Sequence, residues 1–227
     1  GIRKVGFTYF DFSKYYILDS VDGILERLQI ERLDSLLLHR PDALMEPEEV
    51  AEAFNHLEQA GKVRHFGVSN QNPMMMELLK TAVKQPLKVN QLQLSAAFTP
   101  SFEAGFHVNM EGSKAAVRDG GVFEYCRLND TVIQAWSVLQ HGFFKGNFVG
   151  NEEFADLNHV LNDLAKKYQV TPTAIALAWV LRYPGKMQAV IGTTKPQHVL
   201  EAGKAAEVTL TRKEWNQIYL VPGNDLP

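Results

Sequence analysis

Short apolar runs alternate with amphipathic helical stretches along the whole chain, and this alternation limits the fold more than any other feature. Between the runs, apolar side chains recur at three- and four-residue spacing, as in the stretch that begins after the capping residue Ser13. Nearly continuous apolar strands separated by helices predict a parallel sheet covered by helices, and therefore an α/β fold. The predicted strands lie at residues 33–38, 63–68, 87–94, 131–136 and 188–191.

Two parallel architectures compete: an open doubly wound sheet and a closed (β/α)8 TIM barrel. An open nucleotide-binding sheet usually carries Gly-x-Gly-x-x-Gly after a strand, and the sequence lacks this motif. In a barrel, polar residues gather at the C-terminal ends of many strands. Such residues close all five predicted strands: His39, Ser69 with Asn70, Gln91, Trp136 with Ser137, and Gly192 with Thr193. The sequence therefore favours a barrel, forming a single domain over residues 1–227.

Each of these strand-end residues also has a structural interpretation. His39 could simply end its strand, and Ser69 with Asn70 could form a turn, because both side chains hydrogen-bond their own backbone. Gln91 could satisfy a buried backbone group, and Trp136 could be a core residue. Their agreement in position at five successive strands favours a polar rim around an apolar binding site.

Composition and charge narrow the functional classes. The net charge is −3 and the pI is near 6.2, so no basic face and no nucleic-acid partner are expected. The sequence has no apolar run of roughly 18 residues that could span a bilayer and no signal peptide is expected, so no membrane partner is predicted. The single cysteine, Cys126, is predicted to be a buried hydrophobic residue rather than a reactive thiol or a metal ligand. One cysteine fits a reducing, cytoplasmic compartment.

Five motifs, in order and spacing, resemble the aldo-keto reductase family over nearly the whole chain. The run LLLHRPD at 36–42 resembles the family's fourth strand, GKVRHFGVSN at 61–70 the next strand, and NQLQ at 90–93 the one after it. AWSVL at 135–139 and IGTT at 191–194 resemble its aromatic-serine and phosphate-side segments. The set is most similar to small bacterial oxidoreductases of the family. This resemblance implies a (β/α)8 TIM barrel whose first strands are absent from this chain.

The resemblance also implies a role for each matching residue. His39 would be the catalytic residue that polarises the substrate carbonyl. Ser69, Asn70 and Gln91 would hold the nicotinamide carboxamide, and Trp136 would stack on the nicotinamide ring. Residues near the pyrophosphate and adenosine of the cofactor would be Ser137, Leu139, Gly192, Thr193, His198, Glu201 and Ala202. The implied cofactor is NADPH, with NADH possible, and the implied partner is a small carbonyl compound; no metal is implied.

The sequence departs from the family pattern in two places. Of the family's four active-site residues only His39 is present, because the aspartate, tyrosine and lysine would precede residue 1. Asp11 and Tyr16 mimic the spacing of the missing pair, but a helix entrance and an apolar helix stripe are the favoured interpretations of these two residues. At the adenosine end, Gly192 and His198 stand where NADPH-preferring members carry cations, and Lys195 is a nearby substitute.

The sequence therefore predicts an oxidoreductase that reduces small aldehydes or ketones with NADPH. The alternative is a regulatory relative that binds the nucleotide without turnover. A lyase or isomerase barrel would need strand-end carboxylates for metal or proton chemistry, whereas these strand ends carry amides, hydroxyls and one histidine. The irregular segments 95–111 and 140–150 either shape an apolar substrate pocket or pack on themselves. The aromatic residues that make such a pocket plausible are Phe98, Phe102, Phe106, Phe143 and Phe144. The sequence leaves the oligomeric state open.

Overall fold

Helices and strands alternate in the computed structural model, which describes residues 10–42, 44–106, 120–142 and 145–223, without the side chains of 104–106. The α/β prediction is confirmed. The sheet has the strand order β1-β2-β3-β4-β5. The strands are β1 (Leu33–Leu38), β2 (Val63–Ser69), β3 (Leu87–Gln93), β4 (Val132–Trp136) and β5 (Met187–Ala189). The helices are α1 (Lys14–Leu28), α2 (Pro47–Gln59), α3 (Pro73–Lys80), α4 (Pro100–Phe106), α5 (Val122–Leu128), α6 (Ala155–Tyr168), α7 (Pro172–Leu181), α8 (Pro196–Gly203) and α9 (Arg212–Leu220).

The predicted elements agree with the observed ones within a few residues, except around residues 95–128. The stretch 95–111 was expected to be irregular, but it contains the seven-residue helix α4. Helix α5 begins directly after Gly121, which has a left-handed conformation with φ 78°. Residues 107–119 lie outside the described part of the chain. A glycine pair therefore starts a helix here, because only glycine adopts positive φ without strain.

Two compact units divide the chain, and each is described by itself. The first unit contains residues 1–91 and 119–131, and the second contains residues 92–118 and 132–227.

Three parallel strands form the centre of the first unit. Leu38 pairs with Val68, and Ser69 pairs with Gln91, so the ends of neighbouring strands lie side by side. A Cβ on Gly67 would lie 2.5 Å from the Val89 carbonyl oxygen and 2.7 Å from Leu37. Only glycine therefore lets β2 approach both neighbours this closely. One buried core, which includes the completely buried Phe54 and Phe66 in stacked contact at 4.1 Å, joins α1, α2 and α3 to these strands.

Helix packing dominates the second unit. Every residue of α7 from Ala174 to Val180 is buried, so this helix is a core element rather than an amphipathic surface helix. Trp179 stacks on Trp215 of α9 at 5.0 Å, and Phe102 of α4 meets Trp179 edge-on at 5.8 Å. Strands β4 and β5 pair in parallel, with Ala135 opposite Ala189.

No helix in the described part of the chain combines the length and apolar character needed to cross a membrane. Across those same residues, no group of three or more His, Cys, Asp or Glu side chains is placed to hold a metal ion.

Candidate functional site

Three predicted site residues of the first unit form one hydrogen-bonded cluster at the ends of β2 and β3. The Asn70 backbone N–H donates to the Gln91 carbonyl oxygen at 2.9 Å, and the Ser69 hydroxyl donates to the same oxygen at 3.2 Å. The Asn70 side-chain amide in turn donates to the Ser69 hydroxyl at 2.8 Å. Ser69 is buried, whereas Asn70 and Gln91 are half-buried. The cluster therefore joins the Ser69 hydroxyl, the Asn70 side-chain amide and the Gln91 backbone carbonyl at the ends of two neighbouring strands.

The backbone conformation after β2 depends on Asn70 and on a buried asparagine of β3. We call residues 69–72 the β2 turn. Asn70 has a φ of 54°, a left-handed conformation that asparagine tolerates better than most residues. Completely buried Asn90 donates from its side chain to the Gln71 carbonyl oxygen at 2.8 Å. Asn72 then caps α3 by accepting a 3.0 Å hydrogen bond from the Met75 N–H. The β2 turn is thus fixed at both ends.

His39 lies at the end of β1, beside a cavity of about 220 Å³ in the first unit. Its ring meets Phe10 edge-on at 5.9 Å, and the side chain remains exposed. Partial burial lowers the pKa of His39 below its ordinary value, and the neighbouring Arg40 charge lowers it further. The imidazole is therefore neutral near pH 7, so it can donate one N–H to an acceptor without carrying a charge.

Asp11 and Tyr16 line the same cavity as His39, but their contacts agree with the structural interpretation. The Asp11 carboxylate accepts a 2.9 Å hydrogen bond from the Ser13 N–H, and Ser13 caps α1 by accepting from the Tyr16 N–H at 3.4 Å. Both residues belong to the entrance of α1, and Asp11 in particular holds the turn that starts the helix.

In the second unit, Ser137 and Leu139 belong to a loop that folds back on itself. We call the described residues 137–142 and 145–151 the β4 loop. Ser137 has a φ of 52°, and its hydroxyl donates to the Gln140 side chain at 3.0 Å. Leu139 accepts a 3.0 Å hydrogen bond on its carbonyl oxygen from the Phe148 N–H, and Gln140 pairs with Asn147 in antiparallel fashion. Trp136, half-buried, ends β4 immediately before this loop.

The predicted adenosine-side residues lie at the start of α8 and along it. Thr193 accepts a 3.2 Å hydrogen bond from the Lys195 N–H, and its hydroxyl lies 3.4 Å from Nδ1 of His198. Glu201 accepts from the Gln197 side-chain amide at 3.0 Å. Gly192, His198 and Lys195 are exposed, whereas Ala202 is half-buried. The structure thus brings Thr193 and His198 together, with a lysine next to them.

Of the aromatic residues considered for a substrate pocket, the structure gives ring contacts for Phe102. Phe102 packs inside the protein: it is buried and touches Trp179, Tyr183 and Trp215. Phe98 is half-buried. The Phe106 side chain, Phe143 and Phe144 lie outside what the structure describes. For Phe102, the packing interpretation holds.

Sequence reasoning missed the residues whose side chains hydrogen-bond the backbone of these segments. Asn90 was read only as part of a family motif, and Asn158 of α6 was not considered. Asn158 bonds four backbone groups of the segment 148–154. Ser95, buried, donates to the Gln140 carbonyl oxygen at 2.6 Å. The available signal was weak: asparagine is a poor helix-interior residue, but α6 carries both Asn158 and Asn162, and the sequence does not distinguish them.

Cys126 is buried, as predicted. Desolvation raises the pKa of its thiol to about 11, although a hydrogen bond with Asn90 lowers it somewhat. A thiol with such a pKa is almost entirely protonated near pH 7, so Cys126 is a packing residue rather than a nucleophile.

Known proteins resemble this chain over most of its length. Residues 3–220 match the Aldo/keto reductase family. The 6-dehydroglucose reductase of Agrobacterium fabrum is 31% identical over 212 residues, which cover 93% of this chain and 64% of the relative. Oxidoreductase YdhF of Escherichia coli is 33% identical over 214 residues, covering 93% and 65%. The chain thus spans about two thirds of the length of these curated relatives.

Solved structures agree with the sequence match. The aldo-keto reductase from Klebsiella pneumoniae, solved in complex with NADPH, superimposes with a TM-score of 0.69 at 24% identity, covering 89% of this chain and 63% of that one. At this identity the likeness concerns the fold. Together with the family match, it confirms the barrel prediction: the chain belongs to the Aldo/keto reductase family, and its five described strands with their helices match part of that family's α/β (β/α)8 barrel.

Proposed function

We propose that the protein is an oxidoreductase that reduces carbonyl groups of small aldehydes or ketones with hydride from NADPH. The observation that carries this proposal is the hydrogen-bonded cluster of Ser69, Asn70 and Gln91 at the ends of β2 and β3. A nicotinamide carboxamide has both N–H donors and a carbonyl acceptor. The Asn70 side-chain amide, which the cluster holds, and the side-chain amide of half-buried Gln91 match that pattern, because each amide both donates and accepts.

The residues present fit the cofactor, which supplies the hydride when it is bound. Asn70 is positioned by its left-handed backbone and by its bond to Ser69, so little side-chain freedom remains to be lost on binding. In the proposed site Ser69 supports Asn70, and Asn70 and Gln91 orient the carboxamide. In the second unit, Trp136 would contact the nicotinamide ring, and Ser137 and Leu139 would contact the pyrophosphate.

The proposed role of His39 follows from its ionisation. Reduction develops negative charge on the carbonyl oxygen, and a donor aimed at that oxygen stabilises the transition state. The pKa of His39 lies below its ordinary value, so a neutral imidazole donates its N–H there at neutral pH. His39 therefore orients and polarises the substrate carbonyl in this proposal.

Two further points belong to the proposal. NADPH rather than NADH is favoured because Lys195 is exposed beside Thr193 and His198, where it can meet a 2′-phosphate; the Klebsiella relative was solved with NADPH. We also propose that residues 1–227 belong to a single domain, which the continuous family match over residues 3–220 supports.

The test is a fluorescence titration with NADPH, followed by an assay of NADPH-dependent reduction of a panel of aldehydes and ketones. We expect saturable binding that weakens on the order of tenfold in Gln91→Met. The matched control is Gln188→Met, an exposed strand glutamine, which should bind as the unchanged protein does. His39→Gln should bind NADPH but lose turnover.

The outcomes separate the competing functions. Binding with turnover supports the reductase. Binding of NADPH without reduction of any carbonyl in the panel would favour a regulatory nucleotide-binding protein instead. Absence of NADPH binding would overturn both proposals.

A further inference from the structure

A single side chain of α6 bonds several backbone groups in the distal half of the β4 loop, residues 145–151. The Asn158 side-chain amide donates to the carbonyl oxygens of Phe148, Asn151 and Phe154, at 2.8, 3.0 and 3.0 Å. Its carbonyl oxygen accepts from the Gly150 N–H at 2.7 Å. The side chain is thus bonded on both its donor and acceptor sides to four backbone groups of one segment.

These bonds continue to the residues that the proposed function assigns to the cofactor. Phe148 is completely buried; its carbonyl oxygen accepts from Asn158, and its N–H donates to the Leu139 carbonyl oxygen at 3.0 Å. Gln140, which pairs with Asn147, binds the Ser137 hydroxyl through its side chain. Asn158 therefore lies two hydrogen bonds away from Leu139, on the same folded loop as Ser137.

The other end of the loop is held independently. Buried Ser95 donates to the Gln140 carbonyl oxygen at 2.6 Å, and Gln140 N–H donates to Ser137 at 2.8 Å. Ser95, which follows β3, bonds the proximal half of the loop, residues 137–142, whereas Asn158 of α6 bonds the distal half. Loss of Asn158 would free only the distal half, which is the half that closes against Leu139.

We propose that Asn158 is a positioning residue for dinucleotide binding, which acts by holding the β4 loop closed against the pyrophosphate contacts Ser137 and Leu139. This inference rests on the proposed function. Asn158 does not touch the cofactor in this proposal; it reduces the conformational freedom that the loop would otherwise lose on binding. Its effect therefore falls on the affinity and release rate of ligands that contain the pyrophosphate, and the adenosine end is unaffected.

The test compares Asn158→Leu with Asn162→Leu, a matched control one turn further along α6 where the asparagine is exposed. Two probes are titrated: NADPH, and 2′,5′-ADP, which has the adenosine end without the pyrophosphate bridge. Asn158→Leu should weaken NADPH on the order of tenfold and speed its release by a similar factor, while 2′,5′-ADP binding changes by less than about twofold. Asn158→Asp, which keeps the acceptor and loses the donor, should resemble Asn158→Leu. Asn162→Leu should leave both affinities unchanged.

The outcomes distinguish the inference from the function beneath it. If NADPH binds equally well to the unchanged protein and to Asn158→Leu, the positioning role is wrong and the proposed function stands. The role is also wrong if the variant weakens NADPH and 2′,5′-ADP equally, because general loosening of the fold would then be the cause. If the unchanged protein binds no NADPH, the proposed function fails and the inference fails with it.

Discussion

An asparagine side chain supports the β2 turn and another supports the β4 loop, but the two asparagines differ in burial and in what they bond. Asn90 is completely buried and donates to one buried carbonyl oxygen, that of Gln71. Asn158 is half-buried and bonds four backbone groups along an outer loop. Water can replace a lost donor at an exposed carbonyl but not at a buried one. The strand asparagine therefore stabilises the fold, whereas the helix asparagine sets the conformation of a loop.

Replacing the strand asparagine should have the largest effect. In Asn90→Leu the Gln71 carbonyl oxygen stays buried without its donor, and an apolar side chain takes the place of a fitted amide. We expect the free energy of unfolding to fall by about 3 kcal/mol, measured by urea denaturation. The same substitution at Asn158 is the comparison, and a loss at position 90 no larger than at position 158 would remove the distinction between the two segments.

The reactivity of the native Cys126 thiol measures how often the region around Asn90 opens. Because the pKa of its buried thiol is raised to about 11, labelling by a disulfide reagent at pH 8 should be slow and should require local opening. Asn90→Leu should accelerate labelling by the factor that corresponds to its loss of stability. Asn158→Leu should leave the labelling rate close to that of the unchanged protein.

Patterns in the sequence predicted the strands because side-chain periodicity determines them locally. The five strands end within a few residues of their predicted ends, since apolar runs bounded by polar residues leave little choice. Positions at strand ends then identified Ser69, Asn70 and Gln91 as neighbours, because parallel strands bring their carboxyl ends to one edge. Their hydrogen bonds agree with that expectation.

The supporting residues could not be predicted in the same way. Asn90 and Asn158 donate to backbone carbonyls, and every residue of a chain offers such a carbonyl. Which carbonyl an asparagine reaches depends on the geometry of the turn. Here Asn70 and Ser137 adopt left-handed backbone conformations, and tertiary contacts select such conformations. The short helix α4 was missed for a related reason: Phe102 stabilises it by packing on Trp179 and Trp215, which lie far away in sequence.

The helix that carries Asn158 has its own charged anchor, whose loss should have the second-largest effect. Glu214 of α9 is 7% exposed and accepts hydrogen bonds from Lys167 at 2.6 Å, Tyr168 at 2.8 Å and Thr211 at 2.8 Å. Burial alone would raise the pKa of Glu214, but these bonds outweigh it and lower the pKa from 4.5 to about 2. We expect Glu214→Gln to lower the free energy of unfolding by about 2 kcal/mol at pH 7.

The sign of the pH dependence follows from the lowered pKa. Glu214 stays ionised in the folded protein below pH 4.5 while it takes up a proton in the unfolded chain. Its stabilisation is therefore present above pH 4.5 and is lost as the pH falls towards about 2. Urea denaturation at several pH values should show the unchanged protein and Glu214→Gln converging in acid. Glu207→Gln, which breaks an exposed pair with Lys204, is the control and should change little at any pH. A constant difference between Glu214→Gln and the unchanged protein down to pH 3 would contradict the assignment.

Replacing the helix asparagine should have the smallest effect on the fold and a clear effect on the loop. In Asn158→Leu the freed carbonyls of half-buried Asn151 and Phe154 can bond water, and leucine is a better helix former than asparagine. The free energy of unfolding should therefore fall by less than about 1 kcal/mol.

Trypsin cleavage after the exposed Lys145 should nevertheless become about fivefold faster, because it requires only local opening of the loop. Asn90→Leu should accelerate this cleavage only to the extent that the whole protein unfolds more often, and Asn162→Leu should not accelerate it. Equal cleavage rates in Asn158→Leu and Asn162→Leu would mean that Ser95 and the loop's own turns hold the loop. Asn90 and Asn158 would then not differ as a residue that stabilises the fold and a residue that positions a loop.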